Sequence, residues 1–172
     1  MSDNIQFYNE TLKRHISFEE VVEEIVKYVN NESGGRYKIT VGTDSEGSNE
    51  THFVTAIAVL RVGNGGKYFW TKSEKTFCPT LRDRIYKETM HSIMFVQELK
   101  SQLKDRLGEE FFWPARQMAG GDNKITVHLD VGKNGPTKDF IENVVGMVKG
   151  YGFEAIIKPD SFCAFVLADR HT

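Results

Sequence analysis

Two six-residue stretches with the same pattern place the strongest constraint on how this chain can fold. The first is Ile39-Thr40-Val41-Gly42-Thr43-Asp44 and the second is Ile125-Thr126-Val127-His128-Leu129-Asp130. β-Branched runs of this kind favour a strand, in which successive side chains point to opposite faces. We therefore expect the Ile and Val of each stretch on one face of a sheet and the terminal Asp on the other.

The two terminal carboxylates become neighbours if the strands lie side by side, parallel and in this register. Adjacent strands are about 4.8 Å apart, so Asp44 and Asp130 would then be close enough to share one divalent cation or to bridge two. Like charges at that spacing cost free energy unless a positive group lies between them. The pattern therefore predicts a metal site at the carboxyl edge of a sheet.

Composition limits the classes of protein to be considered. A chain of 172 residues favours one domain, and the hydrophobic share of 40% and charged share of 27% are typical of a globular protein. No apolar run reaches membrane-spanning length, and the first residues lack a secretory pattern. Cys78 and Cys163 show neither metal-ligand spacing nor a disulfide framework, which predicts a cytoplasmic location. The net charge of −2 does not favour a nucleic-acid partner, but it is too small to exclude one.

The first predicted element is an amphipathic helix over residues 16–29. Ser17-x-x-Glu20 is a capping box at its start. Apolar residues then recur at helical spacing, namely Val21, Val22, Ile25, Val26 and Val29. We interpret residues 1–35 as a helical extension packed on a single domain that spans residues 1–172.

Three strands are predicted next, over Tyr37–Asp44, Phe53–Val62 and Lys67–Ser73. The second is apolar on both faces, as expected for a strand that is covered on both sides. Residues 63–66, Gly-Asn-Gly-Gly, predict a tight turn between the second and third strands. These short connections predict an antiparallel meander.

A long helix follows, with Thr80 and Asp83 as a cap signal. Its buried stripe is predicted to contain Leu81, Ile85, Ile93, Val96, Leu99 and Leu103. Glu88 lies on or beside this stripe, where a carboxylate needs a partner. Residues 108–123 are predicted to form an irregular connection in which Phe111, Phe112 and Trp113 provide an aromatic anchor.

The last part of the chain predicts two parallel units. A fourth strand over Lys124–Val131 leads to a helix over residues 141–151, a fifth strand over Phe153–Ile157 and a final helix to about Ala168, capped by Asp160 or Ser161. The predicted fold class is therefore α/β, with a mixed five-stranded sheet (three antiparallel strands, then βαβαβ) and helices on both faces.

This order of elements, with acidic residues at the strand ends and in the first long helix, resembles the ribonuclease H-like superfamily. Several segments taken together are similar to the bacterial YkuK-like family within it: residues 41–45, 84–89, 128–132, 158–161 and 168–172. The resemblance covers roughly residues 36–172 and most of the preceding helix. The YkuK-like family has no well-established activity, so the resemblance implies a fold and a candidate metal site.

In the superfamily, acidic residues at these positions hold two Mg²⁺ or Mn²⁺ ions for phosphodiester hydrolysis. The resemblance implies that Asp44 is the central ligand, with Asp130 and Glu88 on either side. The fourth acid is open between two residues. We favour Asp160, which lies where the last strand meets the last helix and would complete the second ion. Asp169 belongs to the terminal motif but would lie about 13 Å further along a straight helix, too far to share one metal with Asp160.

Oxygen-rich ligand sets select Mg²⁺ or Mn²⁺ over zinc. Two such ions lower the pKa of an attacking water and neutralise the leaving oxygen. The implied function is therefore a metal-dependent nuclease that cleaves RNA, an RNA–DNA hybrid or structured DNA.

Two histidines have open interpretations. His171, beside Asp169, would relay a proton or assist product release, or it would be a terminal residue without a role. His128 alternates with Asp130 and would flank the site, but a half-buried histidine with satisfied hydrogen bonds is the favoured interpretation.

Basic residues near the start of the long helix are candidate phosphate contacts, namely Lys72, Lys75, Arg82, Arg84 and Lys87. A solvated face of mixed charge is the equal alternative. Lys133, Lys138 and Lys158 are weaker candidates of the same kind. Phe111, Phe112 and Trp113 could stack on bases, but packing is the favoured interpretation.

Two alternatives compete with the nuclease. The first is a non-catalytic module that binds nucleic acid or protein on the same fold. The second is an actin-like nucleotide-binding fold, which shares the Asp of the first strand but needs two related domains, and this chain has room for one.

Overall fold

The computed structural model describes residues 5–31, 35–112 and 123–172. A mixed α/β arrangement surrounds one main sheet. Its strands are β1 (Gln6–Asn9), β2 (Arg14–Ser17), β3 (Tyr37–Ser45), β5 (Phe53–Arg61), β6 (Gly66–Lys72), β8 (Lys124–Leu129) and β9 (Glu154–Ile156), and a separate pair is formed by β4 (Glu50–Thr51) and β7 (Thr76–Phe77). The helices are α1 (Phe18–Asn30), α2 (Leu81–Leu107) and α3 (Ile141–Gly150), and the chain ends in a π-helical segment, Cys163–Ala168, and a 3₁₀ turn, Asp169–His171.

Strand β3 is an interior strand of the sheet, whose order is β2-β1-β6-β5-β3-β8-β9. It pairs antiparallel with β5 and parallel with β8. In the parallel pair Ile39 is opposite Ile125 and Val41 is opposite Val127. The matched register expected from the two Ile-Thr-Val stretches is therefore confirmed, and so is the antiparallel meander of β3, β5 and β6.

Helices and apolar side chains cover the two faces of the sheet unequally. One face carries the main core, in which α1, α2 and α3 pack on side chains such as Ile39, Val41 and Val127. The other face carries a smaller core. In it, residues 162–172, which we call the C-terminal segment, pack on Val54, Ala56 and Ala58. Helices on both faces were expected, and the α/β fold class is confirmed.

Within the described parts of the chain the sheet has seven strands, whereas the sequence predicted five, because β1 and β2 form a hairpin on the free edge of β6. Phe7 and Ile16 are buried apolar residues of this hairpin, and the buried Asn9 accepts hydrogen bonds at its Oδ1 from the N–H groups of Thr11 and Leu12 in the turn. Strands of four residues contain too few alternations to be recognised by periodicity. The capping box that begins α1 is confirmed at Ser17 and Glu20.

The predicted capping of the last helix is wrong. Among the described residues no side-chain hydrogen bond caps the π-helical segment, and the backbone carbonyl of Ser161 instead accepts a hydrogen bond from Ala164 N–H. Within the aromatic anchor, Phe112 is buried and Phe111 packs edge-on against it, whereas Trp113 lies outside the described residues.

None of the helices in the described parts of the chain combines the length and the apolarity that crossing a membrane requires.

Candidate metal centre

Asp44 and Asp130 lie at the carboxyl ends of two neighbouring parallel strands. Asp44 is the penultimate residue of β3, and Asp130 directly follows β8. The last pair of the ladder is Thr43 of β3 with Leu129 of β8. The next residue along the chain is Asp44 after Thr43 and Asp130 after Leu129. Asp44 is 8% exposed, which removes its carboxyl group from most of the solvent.

Glu88 reaches the same edge of the sheet from helix α2. Ser45 Oγ donates a 2.6 Å hydrogen bond to Glu88 Oε1 and so ties the helix to the end of β3. One turn further along α2, Ser92 Oγ donates to Thr43 Oγ1 at 2.9 Å. These two contacts fix the rotation of α2 that turns Glu88 toward the strand ends.

Asp169 is brought to Asp44 by the C-terminal segment. This segment crosses the sheet directly above Gly42, where an added Cβ would lie 2.6 Å from the backbone nitrogen of Ala164. A glycine is therefore required for the close approach of the two backbones. One turn beyond Ala164, Asp169 shares a hydrogen bond with the Asp44 carboxyl group.

The structure does not bring Asp160 into this group. Asp160 is exposed and borders clefts formed by β8, β9 and the loops that follow them. Asp160 was favoured because it lies where the last strand meets the last helix, and a continuous helix from there would have carried Asp169 about 13 Å away from it. Instead the chain turns at residues 157–162 before it becomes helical, and it delivers Asp169 to Asp44. We call Asp44, Glu88, Asp130 and Asp169 the acid cluster.

A cation belonging to the chain itself is in contact with the acid cluster. Lys158 Nζ lies 2.6 Å from Asp130 Oδ1. Among the described residues no hydrogen bond reaches this buried carboxylate oxygen, so the ammonium group compensates its charge. Sequence reasoning considered Lys158 only as a phosphate contact. The predicted strand order could have indicated the contact of Lys158 with Asp130. Strands β8 and β9 are parallel neighbours, so the residues that follow the two strands lie at the same edge of the sheet.

Burial and mutual repulsion shift the acidity of two members of the cluster. Burial, followed by the charge of Asp130, raises the pKa of Asp44 to about 7. Burial also raises the pKa of Glu88 to about 8, with the charges of Asp44 and Asp130 acting in the same direction against the hydrogen bond from Ser45. Ionising this group of carboxyls therefore requires additional positive charge.

The donor set fits a hard divalent cation in its chemistry but is not assembled around one. Four carboxylates and a hydroxyl offer the oxygen ligands that Mg²⁺ and Mn²⁺ prefer. In the described parts of the chain, however, no three His, Cys, Asp or Glu side chains converge closely enough to hold a metal as they stand. Ser45 and Lys158 occupy two of the carboxylates instead.

His171 lies to one side of the acid cluster. Its ring stacks on Trp70 with 4.1 Å between centroids, and Lys72 Nζ donates to its backbone carbonyl at 3.5 Å. Trp70 belongs to β6, which is separated from β3 by β5. His171 is thus held against the sheet, beside rather than among the carboxylates.

His128 is a buried histidine with a structural partner. Its Nδ1 accepts a hydrogen bond from Cys163 N–H at 3.2 Å, and burial lowers its pKa to about 4. The ring is therefore neutral at physiological pH and fixes the start of the C-terminal segment, in agreement with the interpretation favoured from the sequence.

Basic side chains surround the edge that carries the acid cluster. Arg84 Nη1 donates to the carbonyl of Glu46, and Lys87 Nζ donates to that of Phe77. Arg82 lies over the ring of Tyr86. Their described hydrogen bonds and ring contact are with neutral groups, and the charge of Arg84 also acts on Glu88, where it lowers the pKa against the effect of burial.

With the fold and the carboxylate edge established, comparison with known proteins assigns the class. Residues 20–172 match the family model described as ribonuclease H-like. The chain therefore belongs to the ribonuclease H-like family.

Within that family, the chain is 34% identical to a protein of Bacillus subtilis (strain 168) over 178 residues, which cover 100% of this chain and 99% of the relative. The relative is named uncharacterized protein YkuK. This chain is accordingly a member of the YkuK-like, ribonuclease H-like family. The comparison with solved structures gives no significant match.

Proposed function

We propose that the acid cluster binds two Mg²⁺ or Mn²⁺ ions and that the protein is a nuclease acting on RNA, an RNA–DNA hybrid or structured DNA. The observation that carries the proposal is the raised pKa of two carboxyl groups in one cluster, about 7 for Asp44 and about 8 for Glu88. Groups tuned in this way are a feature of functional sites. Membership of the ribonuclease H-like family supports the same chemistry.

The proposal gives each member of the cluster a role. Asp44 is the central ligand between Asp130 and Glu88, and we propose Asp169 instead of Asp160 as the fourth acid because Asp169 is the one hydrogen-bonded to Asp44. Bound ions of this kind supply a water of lowered pKa and stabilise the charge on the leaving oxygen. Ser45 orients Glu88, and Lys158 compensates the charge of Asp130, a role that a bound cation would take over.

A polyanionic substrate is supported by the charge around the cluster. Arg84 and Lys87 contact neutral carbonyls, and neutralising phosphates with such side chains provides most of the non-specific affinity for nucleic acids. We therefore propose nucleic acid as the partner.

Two further proposals concern the context of the site. We propose that residues 1–172 form one domain, since α1 contributes to the main core and β1 pairs with β6. A cytoplasmic location is consistent with Cys78 and Cys163, which are both unpaired and buried.

A cleavage screen with Mn²⁺ tests the proposed nuclease. Single-stranded, duplex, hybrid and branched substrates are incubated with the intact protein and with Asp44→Asn, Asp130→Asn and Asp169→Asn. We expect cleavage of at least one substrate and a loss of about 100-fold or more in each variant, because each removes charge from the metal site. Asp160→Asn is the matched control and should retain activity. Equal activity of wild type and Asp44→Asn would contradict the proposal.

One observation favours a second candidate, a module that binds nucleic acid without cleaving it. Lys158 already compensates Asp130, and among the described residues the carboxylates do not converge as a ready metal site. A binding module would cleave none of the substrates, yet Asp44→Asn would bind a labelled oligonucleotide as tightly as wild type in fluorescence anisotropy.

A further inference from the structure

A second concave site lies on the same face of the sheet as Asp44 but at the opposite ends of β3 and β8. It is a cleft of about 620 Å³, within the range of roughly 300–1,000 Å³ that is usual for small-molecule sites. Strands β3, β5, β8 and β9 form its floor, and the start of the C-terminal segment forms one wall. The acid cluster contributes no residue to this cleft.

Two lysines are held side by side in the floor of the cleft. Lys38 of β3 is the direct partner of Lys124 of β8 in the parallel ladder, so both side chains project from the same face. Like charges in directly opposed positions are destabilising unless an opposite charge lies between them. Glu154 pairs with Lys124 from the outer side at 3.7 Å. An anion on the inner side would be shared by both lysines.

A buried hydroxyl in the same floor has no partner among the described residues. Thr40 is 3% exposed, lines the cleft, and its Oγ1 makes no hydrogen bond within the described parts of the chain. A hydroxyl left in this state costs free energy that a ligand acceptor would recover. Thr40 lies two residues along the same face from Lys38, so one ligand can reach both groups.

Apolar side chains also line the cleft, and one of them is an aromatic ring. They are Leu60, Ile156 and Phe162, and Leu60 is the direct partner of Lys38 in the antiparallel ladder. Phe162 is fixed by an edge-on contact with His128, with 4.9 Å between ring centroids. His128 also lines the cleft, and because its Nδ1 accepts from Cys163 N–H, its neutral ring carries the proton on Nε2. The cleft thus combines paired cations, hydroxyl and imidazole donors and apolar side chains, and its lining also includes the carboxylates of Glu154 and Asp160.

We propose that this cleft binds a nucleoside phosphate, with the phosphate group at Lys38 and Lys124 and the base against Ile156 and Phe162. The chemistry is shared by a free mononucleotide and by the terminal nucleotide of a nucleic acid. The inference does not rest on the proposed nuclease, because it uses none of the residues of the acid cluster.

The test is a titration of the full-length protein, followed by NMR chemical shifts and by calorimetry, with AMP as the probe. We expect AMP to shift resonances of Thr40, Thr126 and Phe162. Lys38→Ala and Lys124→Ala should each weaken AMP binding by about tenfold, the loss expected for one charge-assisted hydrogen bond. The matched control is Lys149→Ala, which removes an exposed lysine from helix α3. Asp44→Asn should leave AMP binding unchanged, which separates this site from the acid cluster.

Further arms decide which part of the ligand is recognised. Ribose 5-phosphate and adenosine should each bind more weakly than AMP, and a 5′-phosphorylated pentanucleotide distinguishes a nucleic-acid end from a free mononucleotide. Thr40→Val should weaken AMP binding without lowering the melting temperature, whereas a purely structural hydroxyl would affect the melting temperature alone. The proposal is overturned if AMP shifts none of these resonances, or if Lys38→Ala and Lys149→Ala bind AMP equally.

Discussion

Lys158 Nζ and Asp130 Oδ1 lie 2.6 Å apart, so a cation belonging to the chain compensates one carboxylate of the acid cluster. The contact joins the loop after β9 to the end of β8. It supplies a counter-charge at a crowded edge of the sheet, and in the proposed metal site it is the contact that a metal ion would displace.

Lys158→Met should lower the free energy of unfolding of the metal-free protein by about 1 kcal/mol, because Asp130 loses its counter-charge and the pair is partly solvated. The measurement is urea denaturation in the presence of a chelator. Lys133→Met, an exposed substitution in the neighbouring loop, is the control. Added Mg²⁺ should reduce the difference in free energy of unfolding between Lys158→Met and wild type. Identical unfolding curves of the two proteins in the chelator would contradict the compensation of Asp130 by Lys158.

Gly42→Ala should destabilise the protein by about 1–3 kcal/mol, the usual cost of overpacking. The added methyl group would lie 2.6 Å from the backbone of Ala164 and would push the C-terminal segment away from the sheet. Gly146→Ala is the matched control, since nothing lies within 4 Å of its added Cβ in helix α3. That variant should be more stable than wild type by about 0.5–1 kcal/mol. A change in stability of the same sign in both variants would contradict the close approach of Gly42 to the backbone of Ala164.

The metal-free protein should lose stability as pH rises from about 4 to 8. The pKa of Asp44 is about 7 in the folded protein against 3.8 for the free group, so its contribution is complete at low pH and is lost as pH passes the folded value. A shift of that size corresponds to about 4 kcal/mol. The side chain of Asp44→Asn cannot ionise. At pH 8 we therefore expect its free energy of unfolding to exceed that of wild type by about 2 kcal/mol, which is half of the free energy that corresponds to the pKa shift. Thermal melts of wild type and Asp44→Asn in a chelator at pH 5 and 8 measure this difference. An equal change in melting temperature between the two pH values in both proteins would contradict the prediction.

His128 should make the stability of the protein depend on pH in the opposite direction, at lower pH. Its pKa is about 4 in the folded protein against 6.5 for the free group, so its contribution is present above pH 6.5 and is lost as pH falls toward 4. The shift corresponds to about 3 kcal/mol. His128→Gln retains an acceptor for Cys163 N–H but does not titrate, so its stability between pH 7 and 4.5 should fall less than that of wild type. Denaturant midpoints at the two pH values test this, and an equal fall in both proteins would exclude His128 as a source of acid sensitivity.

Much of the central sheet could be predicted because it depends on local patterns. The paired Ile-Thr-Val stretches gave the parallel register of β3 and β8, and the Gly63–Gly66 turn gave the β5–β6 hairpin. Thr80 and Ser17 marked the starts of α2 and α1 because capping is a contact between near neighbours in the chain.

The remainder depends on contacts between distant residues. The β1–β2 hairpin is stabilised by burial of Phe7 and Ile16 in a core assembled by other elements. The proximity of Asp169 to Asp44 depends on the backbone contact of Ala164 with Gly42, which a helix drawn straight from Asp160 does not anticipate. Ser45 and Lys158 were not assigned to the site because their partners are 43 residues away in one case and on a neighbouring strand end in the other.

Binding of Mn²⁺ to the intact protein, measured by calorimetry and by electron paramagnetic resonance at pH 8, is the most direct test of the central claim. The claim is that Asp44, Glu88, Asp130 and Asp169 require an added cation when they are ionised. We expect saturable binding of two ions that is lost in Asp44→Asn and Asp130→Asn and retained in Asp160→Asn. Absence of Mn²⁺ binding to wild type, or equal binding by wild type and Asp44→Asn, would contradict it.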